Sequence, residues 1–204
     1  MINTLALYSH LFEHQEDRFI KETFDGEYDA ARPKLTVLDI GAFEGDFSFY
    51  CLPFAKIIYA FEPDPLPYKV FEESIEDFGL GEVVKLYQCA ISGKTGSRGF
   101  YNTGGGGSSF AEINPADEGR KTIDTYSLND FLLEKKIEFV DIVKVDVEGA
   151  EKEIFSAPDF PEAASKIKYI IGEDHGGGGA FKDYLLPLGF AVESVGRAVW
   201  EARK

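Results

Sequence analysis

The sequence is short of cysteine, of basic residues and of long apolar runs, and each shortage removes a class of protein. Only Cys51 and Cys89 are present, far apart and each in an apolar segment. A disulfide scaffold is excluded, and the spacing suggests no cysteine metal site. Two buried, reduced thiols fit a cytoplasmic location. No stretch approaches the ~20 consecutive apolar residues of a membrane span. The opening MINTLALYSHLFEHQ lacks a basic region and does not read as a signal peptide. Lys and Arg total 21 against 36 Asp and Glu, a formal charge of −15. Such an acidic surface repels phosphate backbones and anionic lipid heads, so no nucleic acid and no membrane is expected as a partner.

What remains is ordinary globular material. The 204 residues, 44% hydrophobic and 28% charged, suit one domain with a short extension. Leu5, Tyr8, Leu11, Phe12, Phe19, Ile20 and Phe24 recur at roughly helical spacing, which predicts a helical cap over residues 1–33. From residue 34 the pattern changes to strand, helix, strand. Strands are expected at 35–41, 56–62, 83–91, 139–147 and 166–173. Helices are expected at 45–55, from Asp64 to Gly79, at 127–136 with Ser127 as cap, at 149–156 and at 180–187. A hairpin insertion is expected near 97–113, and residues 190–195 and 198–203 read as a C-terminal antiparallel hairpin. The sum is an α/β fold: a Rossmann-like, doubly wound, seven-stranded, mostly parallel sheet.

Glycine occurs four times in succession at 104–107 and again at 176–179. At average glycine usage a run of four arises at only about 2 in 100,000 positions. Two readings fit: mobile loops over a site, or linkers substituted for longer loops.

In an open parallel sheet, ligands bind beyond the carboxyl ends of the strands, at the switch point beside the first. The first strand ends Asp39-Ile40-Gly41-Ala42-Phe43-Glu44-Gly45. This is G-x-x-x-G, not the G-x-G-x-x-G of a dinucleotide site. Asp39, Glu44 and Asp46 crowd the turn, which would repel a pyrophosphate and welcome a cation. Glu62 lies 23 residues beyond Asp39, where an acid commonly grips the two hydroxyls of a ribose. A nucleoside without phosphates, joined to a cationic group, describes S-adenosylmethionine.

Here the chain resembles the FkbM family of class I S-adenosylmethionine-dependent methyltransferases. The matching stretches are VLDIGAFEG, YAFEPDP, VKLYQCAISGKTG, TIDTYSLNDFL and VDIVKVDVEGAEKEIF, spread over residues 35–155. The last contains K-x-D-x-E-G-A-E, a hallmark of the family. The resemblance implies methyl transfer, most often to a hydroxyl of a sugar or natural-product scaffold, with S-adenosylhomocysteine as product. It places Asp39, Gly41, Ala42, Phe43 and Gly45 at the methionine end of the cofactor. It places Glu62 on the ribose, and Pro63, Cys89 and Ala90 near the adenine. The family usually carries Asn where this chain has Phe43.

The fourth strand and the fifth supply catalytic candidates. Lys144 and Asp146 interrupt an apolar run, and buried charges need partners. Two residues apart, they should share a face, with Asp146 toward the transferred methyl and Lys144 orienting it. Glu148 and Glu151 open the next helix, where acids complement its dipole; Glu151 reads as structural. His175 follows the fifth strand in Glu173-Asp174-His175 and suits a general base. His10 and His14 read as surface residues. Asp146, Glu173 and His175 could hold a divalent metal, although no spacing demands one, and no metal site is predicted. The expected acceptor is a hydroxylated small molecule. The competing readings are a nucleotide-dependent oxidoreductase on a similar sheet and a cofactor-binding scaffold without catalysis.

Overall fold

A computed structural model describes residues 35–101, 120–174, 179, 181–194 and 199–204. The expected N-terminal helical cap, His10, His14, His175 and the glycines at 104–107 and 176–178 lie outside the described residues. So do residues 108–113 and the turn at Gly196-Arg197.

The chain alternates as read. β1 (Leu35–Ile40) leads to α1 (Asp46–Cys51), β2 (Ala55–Phe61) and α2 (Pro65–Asp77). After α2 come β3 (Val84–Tyr87), β4 (Ala90–Ser92), β5 (Gly96–Tyr101) and β6 (Arg120–Ser127). Then follow α3 (Leu128–Glu134), β7 (Val140–Val145), α4 (Glu151–Phe155), α5 (Phe160–Ser165) and β8 (Ile167–Glu173). The chain closes with α6 (Phe181–Leu185), a 3₁₀ turn, β9 (Ala191–Ser194) and β10 (Val199–Arg203).

Seven strands form the main sheet in the order β3-β2-β1-β7-β8-β10-β9. The first five are parallel, while β10 is antiparallel to both β8 and β9. The antiparallel C-terminal pair is therefore present. Parallel strands covered on both faces read as apolar runs, and Val37, Leu38, Ile40, Ile142, Val143 and Ile170 are all essentially inaccessible to water. Caps agree with the sequence: Asp64 Oδ1 accepts from Leu66 N, with Pro65 at the first helical position, and Ser127 Oγ accepts from Asp130 N.

The region from 83 to 127 departs from the reading. The expected strand 83–91 is two strands. β3 stays in the main sheet, but the chain leaves it at Gln88-Cys89, and β4 joins a second, three-stranded sheet in the order β4-β6-β5. The partner of β5 in this sheet is β6, for which the sequence reading has no strand. Its alternation is plain in hindsight: Ile123, Thr125 and Ser127 are buried while Thr122 and Asp124 are exposed. α5 is a further helix absent from the sequence reading; its local signal is Pro161 in the first turn. The expected helix at 45–55 is shorter, because Pro53 and Phe54 turn the chain into β2.

Candidate functional site

The strand order reverses between β1 and β7, so the switch point lies at their carboxyl ends. Three turns meet there. After β1, the N–H groups of Gly41 and Ala42 both donate to Phe61 O at 3.0 and 2.9 Å, and Gly45 N donates to Ala42 O at 2.8 Å. The turn is tight because three of its residues adopt left-handed backbone. Gly41 has φ +79° and Gly45 φ +95°, while Phe43 between them has φ +50°. At Gly41 a Cβ would stand 1.8 Å from the carbonyl oxygen of Asp146, so nothing larger fits between β1 and β7. At Gly45 it would meet the ring of Phe71 at 2.4 Å.

Glu62 follows β2 and is 7% exposed. Its Oε2 accepts from Phe43 N at 2.8 Å and its Oε1 from Asp64 N at 2.7 Å. Each oxygen keeps a lone pair for a further donor, the arrangement that a vicinal diol requires. Burial pushes the carboxyl up to about 7, against the pull of those two N–H groups. Phe43 thus serves the site through its main chain, which any residue able to hold φ +50° could supply. Asn tolerates that backbone more readily than Phe does.

Lys144, on β7, ties the turns together. Its Nζ donates to Gly41 O at 2.6 Å and lies 3.4 Å from Asp39 Oδ1 and 3.5 Å from Asp146 Oδ2. Burial pulls its pKa down, but the two carboxylates outweigh burial and hold it above the ordinary lysine value. β7 ends at Val145, so Asp146 belongs to the turn; its N–H donates to Ile40 O at 3.0 Å. Asp39 is fully buried, with Oδ2 accepting from Ser48 Oγ at 2.7 Å. Asp39 therefore organises the turn from beneath. Asp46 is half-buried, and burial together with the nearby Asp39 raises its pKa. The contributions of Ser48 and of the Lys144–Gly41 bond were not anticipated; neither has a spacing signal.

Cys89 and Ala90 are buried at the break between β3 and β4, and Pro63 is half-buried beside Glu62. Burial pushes the Cys89 thiol up to about 12, so it is no nucleophile. Glu148 (φ +50°) is exposed in the turn after β7, and Glu151 accepts from Gly149 N at 3.2 Å, a structural role. Beyond β8, Asp174 Oδ2 accepts from Gly179 N at 2.7 Å. Among the described residues no group of three or more His, Cys, Asp or Glu is placed to hold a metal ion, and no helix is long and apolar enough to cross a membrane.

The sheet order and the turns at its switch point define a Rossmann-like methyltransferase fold. A methyltransferase FkbM from Methylobacillus flagellatus KT superposes with a TM-score of 0.58 at 14% identity, over 84% of this chain and 44% of that one. The TrmK of M. capricolum, solved with S-adenosyl-homocysteine, gives 0.51 at 15% identity, over 83% of this chain and 62% of its own. These likenesses concern the fold. In sequence, the methyltransferase FkbM domain matches residues 39–191, and the chain belongs to that family. A curated relative, the 2-O-methyltransferase NoeI of Sinorhizobium fredii (strain NBRC 101917 / NGR234), is 26% identical over 160 residues. That match takes in 70% of this chain, and the chain spans 64% of the relative's length.

Proposed function

We propose that the chain is an S-adenosylmethionine-dependent methyltransferase acting on a hydroxyl of a sugar or natural-product-like small molecule. The observation that carries the cofactor is Glu62: a buried carboxylate at the end of β2, both oxygens oriented by main-chain N–H groups, beside an acidic glycine turn. Family membership supports the reaction, and the name of the NoeI relative supports oxygen as the atom methylated. When bound, S-adenosylmethionine supplies a methyl group on a positively charged sulfur.

The residues divide the work. Glu62 accepts the ribose hydroxyls, with Pro63, Cys89 and Ala90 beside the base. Gly41, Ala42 and Gly45 let the main chain approach the amino-acid end, and Asp39 holds their turn in place through Lys144. Most of the rate comes from alignment. An alcohol is a weak nucleophile, so Asp146 or His175 takes the proton of the acceptor hydroxyl as its oxygen attacks. Lys144 fixes the Asp146 carboxylate.

Calorimetric titration with S-adenosylmethionine, with NAD as control, tests the first half. Binding of the former alone is expected; preference for NAD would restore the oxidoreductase reading. Labelled-methyl transfer to a panel of hydroxylated acceptors tests the second. Asp146→Ala should lower turnover by ~10²–10⁴-fold, the usual weight of a general base. Unchanged turnover in that variant removes Asp146 from the chemistry. Binding without turnover on every acceptor would leave the scaffold reading.

A further inference from the structure

Asp146 stands in a turn that needs an anchor at each end. Residues 146–150 join β7 to α4, and two of them adopt left-handed backbone, Glu148 at φ +50° and Gly149 at φ +93°. A non-glycine residue in that region is strained and persists only where its surroundings over-determine it. The near end of the turn is fixed: Asp146 N donates to Ile40 O at 3.0 Å, and Lys144 Nζ lies 3.5 Å from Asp146 Oδ2. The far end leads straight into α4, which has only 5 residues. So short a helix has little stability of its own, and its place is set by what it touches. Ile154 and Phe155 are buried in the same cluster as Ile91 of β4. Burial is non-directional, so it holds α4 against the small sheet without fixing its register there.

The directional contact is Glu153. Its Oε1 accepts from Ser92 Oγ at 2.9 Å, from Gly93 N at 3.3 Å and from Arg98 Nη1 at 2.5 Å. Its Oε2 accepts from Arg98 Nη1 at 2.6 Å. Ser92 is fully buried. At Gly93 a Cβ would stand 2.9 Å from Glu153 Cγ and 3.0 Å from its carbonyl oxygen, so the corner after β4 closes directly on α4. The same corner is tied to β6 from its other side. Thr125 Oγ1 donates to Lys94 O at 3.0 Å, and Ser127 N donates to Thr95 Oγ1 at 3.1 Å. Glu153 therefore meets a point that the small sheet already fixes.

We propose that Glu153 is a positioning residue: through Oε1 it locks α4 onto the Ser92–Gly93 corner and so sets the turn that carries Asp146. The corner follows Cys89 and Ala90 directly along β4. On the cofactor reading proposed for this chain, on which this role rests, Cys89 and Ala90 border the base and Asp146 faces the acceptor. One carboxylate then spaces the two ends of the site, although it touches neither ligand. The bonds that report on the turn are Gly149 N to Glu151 Oε1 at 3.2 Å and Ala150 N to Val147 O at 3.3 Å.

The test compares Glu153→Ala with Glu153→Gln in the full chain. Ala removes every acceptor. Gln keeps Oε1, the oxygen that meets Ser92 and Gly93, and loses the charge and the second oxygen, which faces Arg98. Residue-resolved hydrogen exchange of the cofactor-free protein reads the turn. In Glu153→Ala, Gly149 and Ala150 should exchange at least ~10-fold faster while β1 and β2 hold their rates, and in Glu153→Gln they should stay within ~3-fold of the parent. Faster exchange confined to Gly93, or a Gln variant that behaves as Ala, overturns the proposal. This readout needs no cofactor, so a parent chain that binds no S-adenosylmethionine removes the cofactor reading and leaves the exchange result standing. In the parent that binds it, Glu153→Ala should cut labelled-methyl turnover by ~10-fold or more, and Glu153→Gln should recover most of the loss. A lowered Tm with unchanged turnover would make Glu153 a structural fastening and overturn its positioning role. Should Glu153→Ala not fold, Ser92→Ala removes one tie and carries the exchange test: faster exchange at Gly149 and Ala150 is expected, and no change overturns the proposal.

Discussion

At the carboxyl end of β2 a carboxylate is kept from water and held there by two main-chain N–H groups, and pH acts on it directly. The Glu62 carboxyl is pushed up to about 7, so below that pH it carries a proton. A protonated carboxyl has less capacity to accept from a ribose diol and no charge to offer a cationic ligand. Affinity for S-adenosylmethionine should therefore rise as pH climbs from 6 to 8. Calorimetry across that range checks it, and a flat profile would separate Glu62 from the cofactor. Gly41 gives a steric counterpart. Gly41→Ala would put a methyl 1.8 Å from Asp146 O at a backbone of φ +79°. A stability loss of at least ~2 kcal/mol is expected, with cofactor binding lost. Chemical denaturation and titration of the variant measure both. Asp39, Gly41, Gly45 and Glu62 were legible because spacing alone places them at strand ends. The Lys144–Gly41 bond joins residues 103 apart, and no local pattern encodes it.

Elements were legible where period and length agree. β1, β2, β7 and β8 are apolar runs bounded by turns, and each stands where the reading put it. The stretch 83–91 failed for a physical reason: an apolar run records burial but not which sheet buries it. The small sheet is then fastened to α4 by side chains. Arg98 donates to both carboxylate oxygens of Glu153, which also accepts from Ser92 Oγ at 2.9 Å and Gly93 N at 3.3 Å. Burial alone would raise the Glu153 pKa, but Arg98 and Ser92 outweigh it and hold the pKa below the ordinary glutamate value. Both side chains are about one-third exposed, so the pair is screened. Arg98→Met should cost about 1 kcal/mol, measurable as a small fall in Tm. The effect should shrink in the double variant Arg98→Met, Glu153→Gln, which leaves no unpaired charge.

For the whole molecule, charge and the buried carboxylate push stability in one direction. A formal charge of −15 makes the compact state repel itself at neutral pH. Salt screens that repulsion, so Tm should rise between ~10 mM and ~500 mM NaCl. A fall would mean that ion pairs such as Arg98–Glu153 outweigh the net charge. Acid acts in the same sense. The Glu62 carboxyl titrates at about 7 when folded and near 4.5 when unfolded. Its folded form therefore binds the proton more tightly. The associated stability is fully present below pH 4.5, is lost as pH rises to about 7, and is absent above it. The difference corresponds to about 3 kcal/mol. Tm should accordingly increase as pH is lowered from 8 to 6. Glu62→Gln removes the titration; its single carbonyl oxygen can accept from only one of Phe43 N and Asp64 N, so the variant is less stable at every pH, and its profile should flatten toward the slope that net charge alone produces. An unchanged pH slope in that variant would locate the dependence in the surface charge rather than in the Glu62 carboxyl.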